Sequence, residues 1–160
     1  MKTWVMVRHA KSSWAFNLPD RERPLAARGI RDANLIGAHL HNMDIHVDKI
    51  YSSPAKRAFD TALIVTSALK KDTTNIETVE DLYDFSGHRA LDFVRGLPNH
   101  LSTVMTFGHN DACSYLAKTL GGFVGDNIPT AAVVIFRFDV SLWSEIYRCK
   151  CSTITPKELR

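Results

Sequence analysis

The sequence predicts an α/β fold, a three-layer sandwich of helices around a mainly parallel sheet. Short apolar runs alternate at least three times with segments whose apolar residues recur at helical spacing, the order expected of parallel strands joined by crossover helices. Two later apolar segments, 131–138 and 143–147, have no helix between them and predict a C-terminal β-hairpin at the sheet edge. The length suits one domain, which we expect to span residues 1–160.

The first half of the chain contains two predicted strand and helix units. Residues 3–7 are continuously apolar, which suits a strand buried on both faces. Apolar residues at helical spacing predict an amphipathic helix over 25–40, with Asp32 on its polar face. A second strand is expected at 48–52. The next helix is expected to begin at Ser53–Pro54, a capping residue followed by a proline.

The second half repeats this order. Residues 76–79 predict a weak third strand, and the helix after it is expected to stop before Pro98. A fourth strand is predicted at 102–107, followed by a helix that closes at Gly121–Gly122, since glycine is the usual residue just past a helix end.

Composition excludes several classes of protein. Twenty Lys and Arg against seventeen Asp and Glu are too evenly scattered for a nucleic-acid or anionic-membrane surface. No apolar run reaches the ~18 residues of a membrane span, and we expect a cytoplasmic protein with reduced cysteines. The histidines lack carboxylate neighbours at metal-ligand spacing, and nucleotide-binding glycine motifs are absent, so neither a metal nor a cofactor is predicted.

Charged and imidazole side chains follow three of the predicted strands. Arg8 and His9 come directly after the first strand, Arg57 lies one turn into the helix after the second, and His109 follows the fourth. Because ligands of open α/β sheets bind outside the carboxyl ends of the strands, we expect these four residues to converge.

Two arginines and two histidines at one place predict phosphate chemistry. Guanidinium groups bind phosphoryl oxygens in pairs, and a neutral imidazole can accept a phosphoryl group as a nucleophile. The charges of Arg8 and Arg57 are expected to lower the pKa of His9, because they disfavour the imidazolium. Each residue alone would be an ordinary surface or loop residue, and the interpretation rests on their combination.

These segments resemble the signatures of the histidine phosphatase superfamily, whose fold is called phosphoglycerate mutase-like. Within it the chain is most similar to the short SixA-type phosphohistidine phosphatases. The segments that carry the resemblance are Arg8-His9-Ala10-Lys11-Ser12, Arg23-Pro24-Leu25 with Arg28-Gly29, Ser52-Ser53-Pro54-Ala55-Lys56-Arg57, Gly108-His109 and Thr155-Pro156-Lys157.

The resemblance implies a role for each matching residue. His9 would be the nucleophile, Arg8 and Arg57 would hold the phosphoryl oxygens, and His109 would hydrogen-bond the transferring group. Ser12 and Arg23 would contact phosphate or substrate, although a loop hydroxyl and a surface charge are the alternatives for them.

The predicted function is therefore hydrolysis of phosphohistidine on a protein, through a phosphohistidine intermediate on His9. Ala15 stands where sugar-phosphate enzymes of the superfamily carry an asparagine, which weakens a mutase assignment. One alternative is a phosphatase of small phosphate monoesters with Asp84 as general acid. Another is a phosphate-binding adaptor without turnover.

Overall fold

The computed structural model describes residues 1–160, and its six strands form one sheet between two layers of helices. The sheet order is β3-β2-β4-β1-β5-β6. The strands are β1 (Lys2–Arg8), β2 (Lys49–Ser52), β3 (Glu77–Thr78), β4 (Thr103–Gly108), β5 (Val133–Phe138) and β6 (Cys151–Ile154). The helices are α1 (Ala27–Asn42), α2 (Lys56–Ala68), α3 (His88–Arg95), α4 (Ala112–Gly121) and α5 (Pro156–Leu159).

The apolar sequence of β1 explains the three layers, because alternate side chains of a strand point to opposite faces. Trp4 and Met6 lie in the core beneath α3 and α4, whereas Val5 and Val7 lie in the core beneath α1 and α2. Strands β1 to β4 pair in parallel, while β5 pairs antiparallel with β1 and with β6. The predicted mainly parallel α/β sandwich is confirmed.

The C-terminal hairpin prediction is correct for β5 and wrong for its partner. The second arm is β6, and residues 143–145 form a short 3-10 helix instead. Trp143 is fully buried, and its indole N–H donates to the Leu101 carbonyl at 2.9 Å. The apolar segment therefore fills the core rather than extending the sheet.

Two helix predictions also require correction. Helix α2 begins at Lys56, because the Ser53 hydroxyl accepts from the Ala55 N–H in a turn before it rather than capping the helix. Asp32 of α1 is buried, not on a polar face, and it binds the Arg160 guanidinium at 2.8 Å. This ion pair ties the C-terminal residue to α1. None of the helices combines the length and apolar character that crossing a membrane requires.

Candidate active site

The loops that follow β1, β2 and β4 meet at one edge of the sheet. The His9 backbone N–H donates to the Gly108 carbonyl, and the Ser53 N–H donates to the Phe107 carbonyl, each at 2.9 Å. Parallel pairing places Arg8 of β1 directly beside Gly108 of β4. The expected convergence of the strand ends is therefore present in the structure.

The hydrogen bonds of His9 keep its Nε2 atom unprotonated. Its Nδ1 lies 2.7 Å from the Ala10 carbonyl, and since a carbonyl only accepts, the proton is on Nδ1. The Arg57 Nε–H donates to His9 Nε2 at 3.4 Å. Burial, with the charges of Arg57 and Arg8, lowers the pKa of His9 to about 4. The ring is thus neutral at pH 7, and its Nε2 lone pair is available to attack.

His109 lies beside His9 on the floor of the site. The two ring centroids are 5.4 Å apart, and the Nε2 atom of His109 is 2.8 Å from the Ser53 hydroxyl. Burial, followed by the neighbouring His9 and Arg57, lowers the pKa of His109 to about 3. A neutral His109 has one N–H, so it can donate a single hydrogen bond to a phosphoryl oxygen without adding a full charge.

Arg57 is positioned by a threonine one turn further along α2. The Thr61 hydroxyl donates to the Arg57 carbonyl at 2.7 Å and accepts from the Ala10 N–H at 2.9 Å. This bridge fixes the first turn of α2 against the loop that carries His9. The Arg57 side chain is buried and reaches His9 Nε2, so Thr61 helps to hold the two residues together.

The remaining predicted residues line the same edge. One terminal N–H of Arg8 donates to the Ile128 carbonyl at 2.6 Å. Arg23 donates to the Ser12 hydroxyl at 2.8 Å, and both side chains are buried rather than exposed. The charge of Arg23 also contributes to the lowered pKa of His9. The structure therefore brings Arg8, Ser12 and Arg23 to the site, as the sequence predicts.

Gly29 permits this placement of Ser12 and Arg23. A Cβ atom at Gly29 would lie 2.2 Å from the Lys11 carbonyl oxygen. Because glycine has none, α1 packs directly on the loop, and the Ala26 N–H donates to that same carbonyl at 2.8 Å. The glycine of the predicted signature thus has a steric role.

Buried polar atoms without partners are concentrated at this edge. Buried groups in folded proteins are nearly always hydrogen-bonded, so an unpartnered one needs an explanation. Of the four unpartnered side-chain atoms in the molecule, three are Arg8 Nε, Arg23 Nε and His109 Nδ1. All three atoms belong to residues of this edge, and the acidic group beside Arg23 Nε is the Asp20 carboxylate, whose Oδ1 lies 3.5 Å from it.

Comparison with known proteins gives the family. The Histidine phosphatase superfamily (branch 1) profile matches residues 4–90, more than half of the chain. The chain belongs to the histidine phosphatase superfamily. It is also 30% identical, over 84% of its length and 82% of the relative's, to an uncharacterized protein of Mycobacterium tuberculosis strain H37Rv.

Two further proteins are similar to this chain, one in fold and one in sequence. The structure of the protein histidine phosphatase SixA complexed with tungstate has the same fold, with a TM-score of 0.82, 19% identity and 99% coverage of both chains. A 2,3-bisphosphoglycerate-dependent phosphoglycerate mutase of Thermoplasma acidophilum is 34% identical over 61% of this chain and 50% of its own. The predicted phosphoglycerate mutase-like fold is confirmed.

The Asp84 carboxylate is bound by groups at the start of α3. Its Oδ1 atom accepts from the Ser86 N–H and hydroxyl, and its Oδ2 atom accepts from the N–H groups of Gly87 and Ala90. Burial acts to raise the pKa of Asp84, but these donors outweigh it and the pKa is lowered. The carboxylate stabilises the start of α3 and is held ionised there, so its suggested role as general acid stays a prediction.

Sequence reasoning missed two residues at the rim of the site. Asp20 accepts hydrogen bonds from Arg57 through both its backbone carbonyl, at 2.6 Å, and its Oδ2 atom, at 3.0 Å. The Tyr83 hydroxyl donates to the same Oδ2 atom at 2.5 Å, and its ring centroid lies 5.3 Å from that of His109. The only sequence signal for Asp20 was its place three residues before Arg23.

A sizeable cavity of the molecule lies elsewhere. Its volume is about 380 Å³, and its lining includes Lys49, at the start of β2, together with Lys70 and Lys71. Because the histidines follow the carboxyl ends of the strands, this cavity is at the opposite edge of the sheet. The candidate site is therefore identified by its arginine and histidine side chains rather than by this cavity. The side chains that commonly bind metals form no group of three or more at either edge.

Proposed function

We propose that this chain is a SixA-type phosphohistidine phosphatase that hydrolyses the phosphorus–nitrogen bond of phosphohistidine on a protein. The observation that carries the proposal is the state of His9, a buried neutral imidazole with its proton on Nδ1 and its Nε2 lone pair beside Arg57. The SixA structure that shares the fold holds tungstate, a tetrahedral oxyanion like phosphate, which supports an oxyanion site here.

The first step transfers the phosphoryl group to the enzyme. His9 Nε2 attacks phosphorus in line as the bond to the substrate imidazole breaks. The substrate ring leaves as neutral imidazole, with its other nitrogen still protonated, and His9 keeps its Nδ1 proton on the Ala10 carbonyl. Arg8, Arg57 and His109 stabilise the charge on the phosphoryl oxygens, while Ser12 and Arg23 complete the binding site.

Water completes the reaction. Its oxygen bonds to phosphorus as the bond to His9 Nε2 breaks, and its two protons remain with the phosphate as dihydrogen phosphate. His9 returns to its neutral form with the Nδ1 proton in place. No step requires a metal or a cofactor.

The surroundings of the leaving group favour a phosphoramidate over an ester. An imidazole leaves with a conjugate acid of pKa about 6.5, whereas a sugar alkoxide requires a proton donor. Asp84 accepts four hydrogen bonds from residues 86–90, and Asp20 is held ionised by Tyr83 and Arg57, so neither carboxylate is well suited to supply that proton. This supports a phosphoramidate substrate over an ester.

Trapping the intermediate tests this function. A protein carrying radiolabelled phosphohistidine and a panel of sugar phosphates are each mixed with the enzyme and quenched without acid. We expect acid-labile label on His9 from the phosphoprotein, and His9→Ala to reduce turnover by about 10,000-fold or more. The exposed His100→Ala is the matched control and should retain full activity.

Three outcomes would contradict the proposal. Turnover retained in His9→Ala would remove the nucleophile. Label on His9 from sugar phosphates alone would assign an ester phosphatase. Binding of the phosphoprotein with no label and no turnover would assign the adaptor function.

A further inference from the structure

The rim of the site carries a single carboxylate among its arginines. Asp20 is the only acidic residue within ion-pair distance of Arg8, Arg23 or Arg57, with Oδ2 at 3.0 Å from Arg57 and Oδ1 at 3.5 Å from Arg23. A negative charge in a pocket built for phosphate opposes phosphate binding. Its presence there requires a function that the floor residues do not supply.

The two sides of the Arg57 guanidinium separate Asp20 from the nucleophile. Nε of Arg57 contacts His9 Nε2, whereas its two terminal nitrogens contact Asp20. Asp20 therefore lies further from the attacking nitrogen, toward solvent, and its side chain is 47% exposed. An in-line displacement at His9 would direct the leaving group away from the buried nucleophile and toward solvent, where the exposed Asp20 carboxylate lies.

Asp20 is held there as an anion. Burial acts to raise its pKa, but the hydrogen bond from Tyr83 and the hydrogen bond and charge of Arg57 outweigh that effect, so the pKa is lowered. Tyr83 also fixes the carboxylate against the wall of the site, because its ring packs beside that of His109. A fixed negative charge next to the leaving group distinguishes substrates by the charge of that group.

We propose that Asp20 is a specificity-determining residue that selects substrates with a cationic or N–H-bearing leaving group and disfavours those with an anionic one. The proposal rests on the phosphohistidine phosphatase function, which it deepens. A phosphohistidine ring protonated on its far nitrogen carries an N–H that the Asp20 carboxylate can accept. Phosphorylated acids, such as a phosphoglycerate, would bring a second carboxylate against it.

Two aryl phosphates of similar size and opposite charge test this inference. The kcat/KM values for 4-(trimethylammonio)phenyl phosphate and 4-carboxyphenyl phosphate are measured with the wild-type enzyme and with Asp20→Asn. We expect the preference for the cationic substrate to fall by about tenfold in the variant, with the carboxylated substrate improving. Asp20→Glu, which keeps the charge, should retain most of the preference.

Glu22→Gln is the matched control. Glu22 belongs to the same short 3-10 helix (Asp20–Glu22) and is exposed, and its substitution changes the net charge equally. It should leave the substrate ratio within about twofold of wild type. A thermal melt of each variant checks that folding is unchanged.

The outcomes separate this inference from the proposed function. If Asp20→Asn lowers kcat/KM for both aryl phosphates equally, Asp20 only positions Arg57 and the inference is overturned. If the wild-type enzyme hydrolyses the aryl phosphates but not N-phosphorylimidazole, the phosphohistidine function fails. In that case the ratio of the two aryl phosphates still decides the role of Asp20.

Discussion

The floor and the rim of the site are built differently. On the floor, His9, Arg57 and His109 are at most 8% exposed, and backbone hydrogen bonds between the ends of β1, β2 and β4 position their loops. On the rim, Trp14 and Phe85 are 75% and 48% exposed and belong to loops. A buried, hydrogen-bonded floor suits one fixed reaction, whereas an exposed rim can vary with the substrate.

This difference between floor and rim indicates which residues govern the reaction and which govern the choice of substrate. In the proposed mechanism, preorganised donors at the floor stabilise the transferring phosphoryl group whatever the leaving group is. Asp20, Tyr83 and the rim aromatics lie nearer solvent, where the group attached to phosphorus would be in the proposed mechanism. Changes at the floor should therefore affect all substrates alike, and changes at the rim should affect the ratio between them.

Removing the floor arginine should have the largest effect. We expect Arg57→Ala to lower kcat/KM by about 1,000-fold for phosphoramidates and aryl phosphates alike, because a charged donor to the phosphoryl oxygens is lost. Arg57→Lys should retain more activity than Arg57→Ala but less than wild type, since an ammonium lacks the planar pair of donors. Steady-state kinetics with both substrate classes measure this.

The neighbouring Lys56→Ala is the control for this prediction. Lys56 pairs with Asp60 on the surface of α2 at 2.9 Å and should change activity by less than about twofold. If Arg57→Ala lowered kcat/KM for only one substrate class, the floor would also determine specificity, and the distinction between floor and rim would be wrong.

The buried histidines should make stability depend on pH. Their pKa values of about 4 and 3 lie below the ordinary 6.5, so between those values the unfolded chain binds protons that the folded chain does not. Burying the two neutral rings therefore costs no protonation energy above pH 6.5. The free energy of unfolding decreases as the pH falls below 6.5. Each contributes up to about 1.4 kcal/mol per pH unit.

Urea unfolding at about pH 6 and about pH 5 measures this slope. His109→Gln should reduce the loss of unfolding free energy between the two conditions by about 1 kcal/mol, because one titrating group is removed. Substitution of the exposed His100 by Gln should leave the loss unchanged. An unaltered slope in His109→Gln would mean that His109 is not held neutral by the floor.

The floor was largely predictable from sequence because its determinants are local. Arg8-His9 and Gly108-His109 directly follow apolar strands, and parallel strands present their carboxyl ends at one edge. The rim was not predictable, since its contacts join distant residues. Asp20 and Tyr83 are 63 positions apart, and no spacing rule connects them.

The errors have the same physical origin. The apolar segment around Trp143 has the composition of a strand, but long-range contacts with Leu101 and Asn99 decide that it fills the core. Asp84 and Asp20 are both acidic residues in polar loops. Only the three-dimensional structure shows that one binds backbone N–H groups at a helix start and the other binds an active-site arginine.

We expect substitution of Asp84 to have the smallest effect on activity, because its carboxylate binds the start of α3 and has no part in the proposed reaction. In Asp84→Asn one carboxylate oxygen is kept and the other becomes an NH2 group. If the NH2 group replaces Oδ2, it faces the backbone N–H groups of Gly87 and Ala90, which then lose their acceptor. We expect a loss of about 1–2 kcal/mol in the free energy of unfolding, typical of a lost helix-start contact. Activity per folded molecule should fall by less than about threefold, equally for phosphoramidate and ester.

Asp92→Asn makes the same chemical change on the exposed face of the same helix and should alter neither quantity. The two variants are compared by urea unfolding and by kinetics on N-phosphorylimidazole and an alkyl phosphate. Selective loss of ester hydrolysis in Asp84→Asn, at unchanged stability, would make that carboxylate a proton donor. Because its four acceptor contacts all lie within residues 86–90, we expect stability to change and the substrate ratio to remain.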